Sequence, residues 1–173
     1  MDELEAKGLI DTDTRVSLVE NKVTLVVPNG NARDIGSFDQ AIDELKDGDV
    51  LMAVGSSDVP IGQCAQKIFE FYGVNESDVS DNLIHGSDAK EITARVSDAS
   101  VGCGIVYGTD AYSAGLTVVD SATAEMCGSQ VIYPAAVLKN AANADATKAF
   151  LDYLQTEEAS AVFASAGFSP IAR

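Results

Sequence analysis

The chain has 173 residues, of which 46% are hydrophobic and 22% charged, so it can bury the core of one domain or of two small lobes. Its 27 acidic against 11 basic residues give a formal net charge of −16. This charge argues against nucleic acids and anionic membrane surfaces as partners, because the protein's field repels both, and an anionic ligand would need locally oriented donor groups.

The cysteine content provides no disulfide framework and no metal motif. Cys64, Cys103 and Cys127 are odd in number and widely spaced, without a CxxC pair. Cys64 and Cys103 lie among apolar residues, so we interpret them as buried thiols. No apolar run approaches the roughly 18 residues of a membrane span. Residues 1–15 lack the basic and apolar regions of a signal peptide, which taken alone favours the cytoplasm.

Apolar periodicity predicts alternating strands and helices. In chain order, the first strand is predicted at residues 22–28, where Pro28 ends it. Further strands are predicted at 49–55, 82–86, 102–108, 116–120 and 131–138. Helices are predicted at 37–48, 59–73, 87–99 and across about the last 30 residues, with a restart near Thr156.

This alternation predicts an α/β fold with a doubly wound, mostly parallel sheet and helices on both faces. Residues 22–125 are predicted to form one α/β, ligand-binding lobe. Residues 1–21 and 126–173 then flank that lobe, and neither segment reads as a second complete lobe.

Three strand ends form the candidate binding region. In a parallel sheet, the strands that end near residues 55, 86 and 106 present the following segments at one carboxyl edge. The segment that follows Tyr107 is predicted as a polar, glycine-broken turn. The other two segments open helices, and a helix start carries unpaired N–H groups and partial positive charge.

Uncharged donors are predicted at this edge. Pro60 has no N–H, which leaves those of Ile61 and Gly62 free to face a ligand. Ala89 lies one residue inside the next helix with its N–H equally free, and Tyr107 brings a hydroxyl from the third strand end. Together they predict a pocket of neutral donors that suits a compact oxyanion.

The predicted helix starts and Tyr107 can also be explained as purely structural features, and a catalytic site is a further alternative. Helix starts after strands are general in α/β folds, and a tyrosine at a strand end is more often a packed aromatic. Catalysis would need His85 with Cys103, or Asp58 with Asp110 as a carboxylate pair or metal site. A mid-strand cysteine favours burial, and aspartates suit turns and caps, so we expect no catalytic residue and no side-chain metal ligand.

Five stretches carry a resemblance to a known family: NKVTLVVP, AVGSSDVPIGQCAQKIFEFYG, GIVYGTDA, VIYPAAVL and AFLDYLQTEEASAVFASAGF. Over about residues 1–168 the chain resembles the molybdate-binding proteins of ABC transporters, the ModA type of two-lobe periplasmic binding protein. The resemblance implies a non-catalytic, cofactor-free binding component that takes molybdate or tungstate and hands it to an ABC permease. It also implies a periplasmic or extracellular location, lipid-anchored or secreted.

The resemblance implies that hydroxyls and backbone N–H groups hold the anion. Ile61 stands after the motif's proline where alanine is usual, and Ala89 stands where valine is common. The tyrosine of the family matches Tyr107 directly. The expected ligand-binding residues are thus Ile61, Ala89 and Tyr107, with Pro60, Gly62 and Asp88 in supporting positions.

The resemblance also implies a longer first lobe. Residues 1–21 are expected to be a remnant of it, and residues 126–173 the crossover strand and C-terminal helices that support it. The chain is therefore expected to be a fragment that carries half of the site and binds its anion weakly or not at all. It is also expected to form a homodimer through exposed apolar residues, namely Leu9, Ile10, Val131, Tyr133, Phe150 and Phe163.

Two alternative functions remain open from the sequence. One is an oxyanion-sensing effector domain of a transcription regulator. The other is a binding protein for another oxyanion, such as sulfate. Neither alternative changes the expectation that this chain itself binds no nucleic acid and inserts into no membrane.

Overall fold

The computed structural model describes residues 1–171, and the chain divides into two compact units. Unit 2 is the continuous segment Lys22–Gln130, and unit 1 combines Met1–Asn21 with the chain from Val131 onward. The candidate site lies entirely on unit 2.

The helices and strands alternate along most of the chain. The strands are β1 (Val16–Asn21), β2 (Val23–Val27), β3 (Met52–Gly55), β4 (Leu83–Gly86), β5 (Cys103–Tyr107), β6 (Thr117–Ser121), β7 (Val131–Ala135) and β8 (Ser169–Pro170). The helices are α1 (Asp2–Ala6), α2 (Phe38–Asp47), α3 (Pro60–Phe71), α4 (Ala89–Ser97), α5 (Gly108–Ala114), α6 (Ala144–Tyr153) and α7 (Glu157–Ser165). Short 3-10 turns lie at Thr12–Thr14, Glu76–Asp78 and Ser80–Asn82.

The sheet of unit 2 has the strand order β4-β3-β5-β2-β6. Strand β3 pairs in parallel with β4 and β5, whereas β2 runs antiparallel to both β5 and β6. Four of the five strands therefore share one direction. This confirms the predicted α/β fold, and the sheet is mixed because the reversed strand β2 lies inside it and forms two antiparallel pairings.

The core of unit 2 forms where helices cover this sheet. Every residue of β2 and of β3 is buried, as expected for continuous apolar runs. Helix α2 begins where Ser37 Oγ accepts a hydrogen bond from the Gln40 N–H, and it ends at Gly48 in the left-handed region. Its buried face is Phe38, Ala41, Ile42 and Leu45. Burial of each large side chain stabilises the fold by about 1.5–3 kcal/mol.

One local prediction is wrong, and one strand lies where none was predicted. The segment after Tyr107, predicted as a turn, is helix α5, because Tyr107 is its extended N-cap residue and Gly115 ends it at φ 64°. Residues 1–21, predicted only as a flank, contain strand β1. The alternating exposure along β1 is typical of an antiparallel sheet, which gives a weaker sequence signal than a buried parallel strand.

Unit 1 is built on a small antiparallel sheet with the order β7-β1-β8. Ile10, expected to be exposed, is buried, because it forms a bridge with Leu138 and because the Asp11 N–H donates to the Val137 carbonyl beside it. The second C-terminal helix, α7, starts as predicted at the Thr156 cap. Large apolar side chains that stay exposed in unit 1 are Leu4, Leu9, Tyr133, Leu138, Phe150, Tyr153 and Val162.

Candidate functional site

Three adjacent strands of unit 2 end at one edge of its sheet, which we call the carboxyl edge. Strand β3 lies between β4 and β5, with Gly55 opposite Gly86 and Ala53 opposite Gly104. Each strand is followed by a helix, and these helices begin at Pro60, Ala89 and Gly108. The topology therefore brings the three predicted segments together at one edge.

The start of α3 packs tightly against the end of β3. A Cβ on Gly55 would lie 2.7 Å from the Gly62 nitrogen and 2.7 Å from Ile61 Cγ2. A Cβ on Gly62 would overlap the Ser56 carbonyl oxygen. Glycine at both positions is thus what lets the helix start approach the strand end. The Ile61 side chain is buried in this contact, so its bulk points into the fold while its backbone stays at the edge.

Hydrogen bonding separates the two amides predicted to be free in α3. The Gly62 N–H donates to the Val59 carbonyl at 3.0 Å, so the expectation that Gly62 offers a free donor is wrong. The helix starts with a tight turn that uses this N–H internally. The Ile61 N–H has no hydrogen-bond partner among residues 1–171, and Pro60, at the first helical position, has no N–H to satisfy.

The start of α4 offers a second unpaired donor. The Asp88 side chain caps the helix by accepting a hydrogen bond from the Glu91 N–H at 2.9 Å. Glu91 accepts in return from the Ser87 N–H at 2.9 Å, and this bond, followed by the contact with Arg95, lowers the pKa of Glu91. Within the described part of the chain the Ala89 N–H has no partner.

Ser56 ties two of the site's segments together. Its N–H donates to the Gly86 carbonyl at 2.9 Å, and its hydroxyl donates to the same oxygen at 3.2 Å. The segments after β3 and β4 are therefore held at a fixed separation at the point where α3 and α4 begin. The sequence alone did not predict this link.

Tyr107 is the last residue of β5 and lies at the same edge. It is half-buried, it pairs with Val23 across the sheet, and it occupies the N-cap position of α5. The next N–H, that of Gly108, donates to the Lys22 carbonyl at 2.8 Å. The start of α5 thus lies beside those of α3 and α4, and Tyr107 is the residue that precedes it.

Acidic side chains also reach this region. Burial raises the pKa of Asp110, in the first turn of α5, and the nearby charge of Asp88 raises it further. Two neighbouring carboxyl groups repel a bound anion. An anionic ligand at this edge therefore depends on the N–H groups and on the partial positive charge of the helix starts.

The structure does not support a catalytic pair of Cys103 and His85. Cys103 is fully buried, and burial raises the pKa of its thiol to about 12. The imidazole of His85 faces Glu76, with Nε2 3.4 Å from Oε1. Among residues 1–171, no group of three or more His, Cys, Asp or Glu side chains could hold a metal ion.

Two named proteins are similar to this chain in sequence. A Bacillus subtilis (strain 168) protein, YvgL, provisionally named an ABC transporter substrate-binding lipoprotein, is 30% identical over 94% of this chain. The molybdate-binding protein ModA of Escherichia coli (strain K12) is 30% identical over 98% of it. The chain spans 60% of the length of YvgL and 66% of that of ModA.

Solved structures share its fold. The substrate-binding domain of a provisionally named molybdenum ABC transporter from Clostridium difficile superposes with a TM-score of 0.85 at 26% identity. That match covers 99% of this chain and 73% of the other.

In the part of this chain that the structure describes, no helix is both long and apolar enough to cross a membrane.

The family whose description is "Bacterial extracellular solute-binding protein" matches residues 1–169, nearly the whole sequence. Together with the two relatives and the shared fold, this match shows that the chain belongs to the bacterial extracellular solute-binding protein family.

Proposed function

We propose that this chain binds a tetrahedral oxyanion, molybdate or tungstate, as the solute-binding component of an ABC importer. One observation carries the proposal: the unpaired N–H groups of Ile61 and Ala89 lie at one sheet edge together with Tyr107. The names of the E. coli and C. difficile relatives support the choice of anion.

The chemistry of the donors fits such an anion in a protein of net charge −16. Each N–H or O–H hydrogen bond to a charged oxygen stabilises the complex by about 1.5–3 kcal/mol. The starts of α3 and α4 add partial positive charge without a basic side chain. Few donors and the carboxyl groups of Asp88 and Asp110 together favour weak binding.

The proposed role needs export and a membrane partner. The family is extracellular, and one relative is named a lipoprotein, so we propose that the protein acts outside the cytoplasm, lipid-anchored or secreted. Its macromolecular partner in this role is the permease of the importer.

Backbone NMR titration tests the proposed site even at millimolar affinity. On adding sodium molybdate or tungstate to the 15N-labelled chain, we expect the largest amide shifts at Ile61, Ala89 and Tyr107. Sodium sulfate at equal ionic strength serves as the comparison, and stronger binding of sulfate would favour the alternative oxyanion. Shifts spread over the surface, or absent from this edge, would refute the site.

One substitution removes a single proposed donor with little other change. Ala89 is the first residue of α4, its N–H is unpaired, and Asp88 before it is extended, so Ala89→Pro suits the local backbone. We expect its molybdate Kd to rise about 10- to 100-fold. The control Ala89→Ser keeps the N–H and should bind like the parent chain. Equal binding by the proline variant would exclude this amide as a ligand.

A further inference from the structure

The sequence predicts isolated, buried thiols, but two of the three cysteines meet in the fold. Cys64 lies on α3, and Cys127 lies in the connection that follows β6. Their thiols hydrogen-bond to each other, and both residues are half-buried. Cys103, by contrast, is fully buried inside the sheet.

Packing of the connection against α3 holds the two thiols together. The Cys127 N–H donates to the Thr123 carbonyl at 3.2 Å, which closes a turn around the buried side chain of Met126. A Cβ on Gly128 would lie 3.5 Å from Cδ of Lys67, which is one helical turn after Cys64. The turn therefore rests on the same part of α3 that carries Cys64.

The hydrogen bond gives the two sulfurs different reactivity. Donation from the Cys127 thiol lowers the pKa of Cys64 to about 7, although burial acts in the opposite direction. The same bond, followed by burial, raises the pKa of Cys127. One thiol of the pair therefore loses its proton more readily than an isolated thiol does, and the thiolate is the form that attacks a disulfide.

We propose that Cys64 and Cys127 form an intramolecular disulfide that ties α3 to the last connection of unit 2. The Cys64 thiolate attacks one sulfur of a small-molecule disulfide and expels the other as a thiolate. Cys127 loses its proton and attacks Cys64 Sγ, which expels the second thiolate. Two protein thiols lose two protons and two electrons, and one disulfide oxidant becomes two thiols.

The location of the family favours the oxidised form. Disulfides persist in extracellular and periplasmic compartments, and the family is one of extracellular proteins. Two thiols that interact directly on packed segments are placed so that their sulfurs can approach to disulfide geometry. The bridge would close the long segment between α3 and the end of unit 2, so it should stabilise unit 2 appreciably.

The test oxidises the full chain with oxidised glutathione and uses dithiothreitol-reduced chain as the reference. We expect a loss of two hydrogens in intact mass and one peptide pair that joins Cys64 to Cys127. The thermal midpoint should rise by roughly 10 °C on oxidation. Cys103→Ala should behave like the parent, whereas Cys64→Ser and Cys127→Ser should lose both the bridge and the shift.

Peptide mapping of the parent chain needs no variant, so the proposal is testable even where a substitution impairs folding. Stable mixed disulfides with glutathione at both cysteines, bridges between chains, or a pair that includes Cys103 would each overturn it. The proposal does not depend on the bound anion, because the mapping is done without ligand.

Discussion

Gly62 and the carbonyl of Ser56 are packed so closely that a single methyl group on Gly62 would overlap that oxygen. The obstacle is backbone rather than a flexible side chain, so it cannot be relieved without moving the start of α3. This contact fixes where the Ile61 N–H lies relative to the ends of β3 and β4.

The first prediction follows from this contact. We expect Gly62→Ala to lower the free energy of unfolding by about 1–3 kcal/mol, as overpacking does elsewhere. Urea denaturation measures this change. Gly36→Ala is a matched control, because its Cβ would meet nothing nearer than Gln40 Oε1 at 3.9 Å. If both variants lose the same stability, the tight contact is not what restricts position 62.

The second prediction concerns the tyrosine hydroxyl. We expect Tyr107→Phe to raise the molybdate Kd about 10- to 100-fold by removing one hydrogen bond to the anion. NMR titration of the variant provides the Kd. Tyr112→Phe is the control, since Tyr112 lies on α5, the helix that follows Tyr107, but is 62% exposed and has no proposed role. Unchanged affinity in Tyr107→Phe would leave the amides as the sole donors.

The third prediction uses the raised pKa of Asp110. A carboxyl whose pKa is raised on folding binds its proton more tightly in the folded state, so stability falls as pH rises through the folded pKa. Asp110→Asn should remove that fall, and it should therefore gain stability over the parent at pH 7 but not below the ordinary aspartate pKa.

The same substitution should strengthen binding of a dianion, because it removes a negative charge from the carboxyl edge. Denaturation at the two pH values and NMR titration at pH 7 measure the two effects. Asp81→Asn removes the same formal charge from an exposed position in the turn before β4, at the opposite edge of the sheet, and is the control. A stability gain for Asp110→Asn that is equal at both pH values would contradict the assigned cause.

The fourth prediction is self-association through unit 1. Phe150 and Val162 are 60% and 63% exposed on α6 and α7. Apolar surface of this kind favours association, so we expect sedimentation velocity to show a homodimer as concentration rises. Phe150→Ser should shift the equilibrium toward monomer, whereas Tyr112→Ser on unit 2 should not. A monomer at all concentrations would refute the prediction.

Local chemistry was predictable from sequence where a few adjacent residues decide it. The helix start at Thr156 and the position of Pro60 in the first turn of its helix each depend on short-range spacing, and each stands where it was expected. Spacing alone predicted one unpaired N–H group too many. The Gly62 N–H is used in a tight turn to the Val59 carbonyl, and the backbone conformation of that turn was not predicted.

Relationships between distant segments were not predictable in the same way. Periodicity identifies strands but does not give their order, so the reversed direction of β2 and the link from Ser56 to Gly86 came only from the structure. The meeting of Cys64 and Cys127 also depends on tertiary packing, and an odd cysteine count argued against it.

The reversed strand β2 fastens the start of α5 to the sheet. The Lys22 carbonyl, at the first residue of unit 2, accepts a hydrogen bond from the Gly108 N–H, and the Val23 carbonyl accepts one from the Ala122 N–H just after β6. Because Val23 also pairs with Tyr107, the backbone on both sides of this tyrosine is anchored by a segment that is distant in the sequence. A substitution that disturbs the start of β2 should therefore displace Tyr107, although the two lie far apart along the chain.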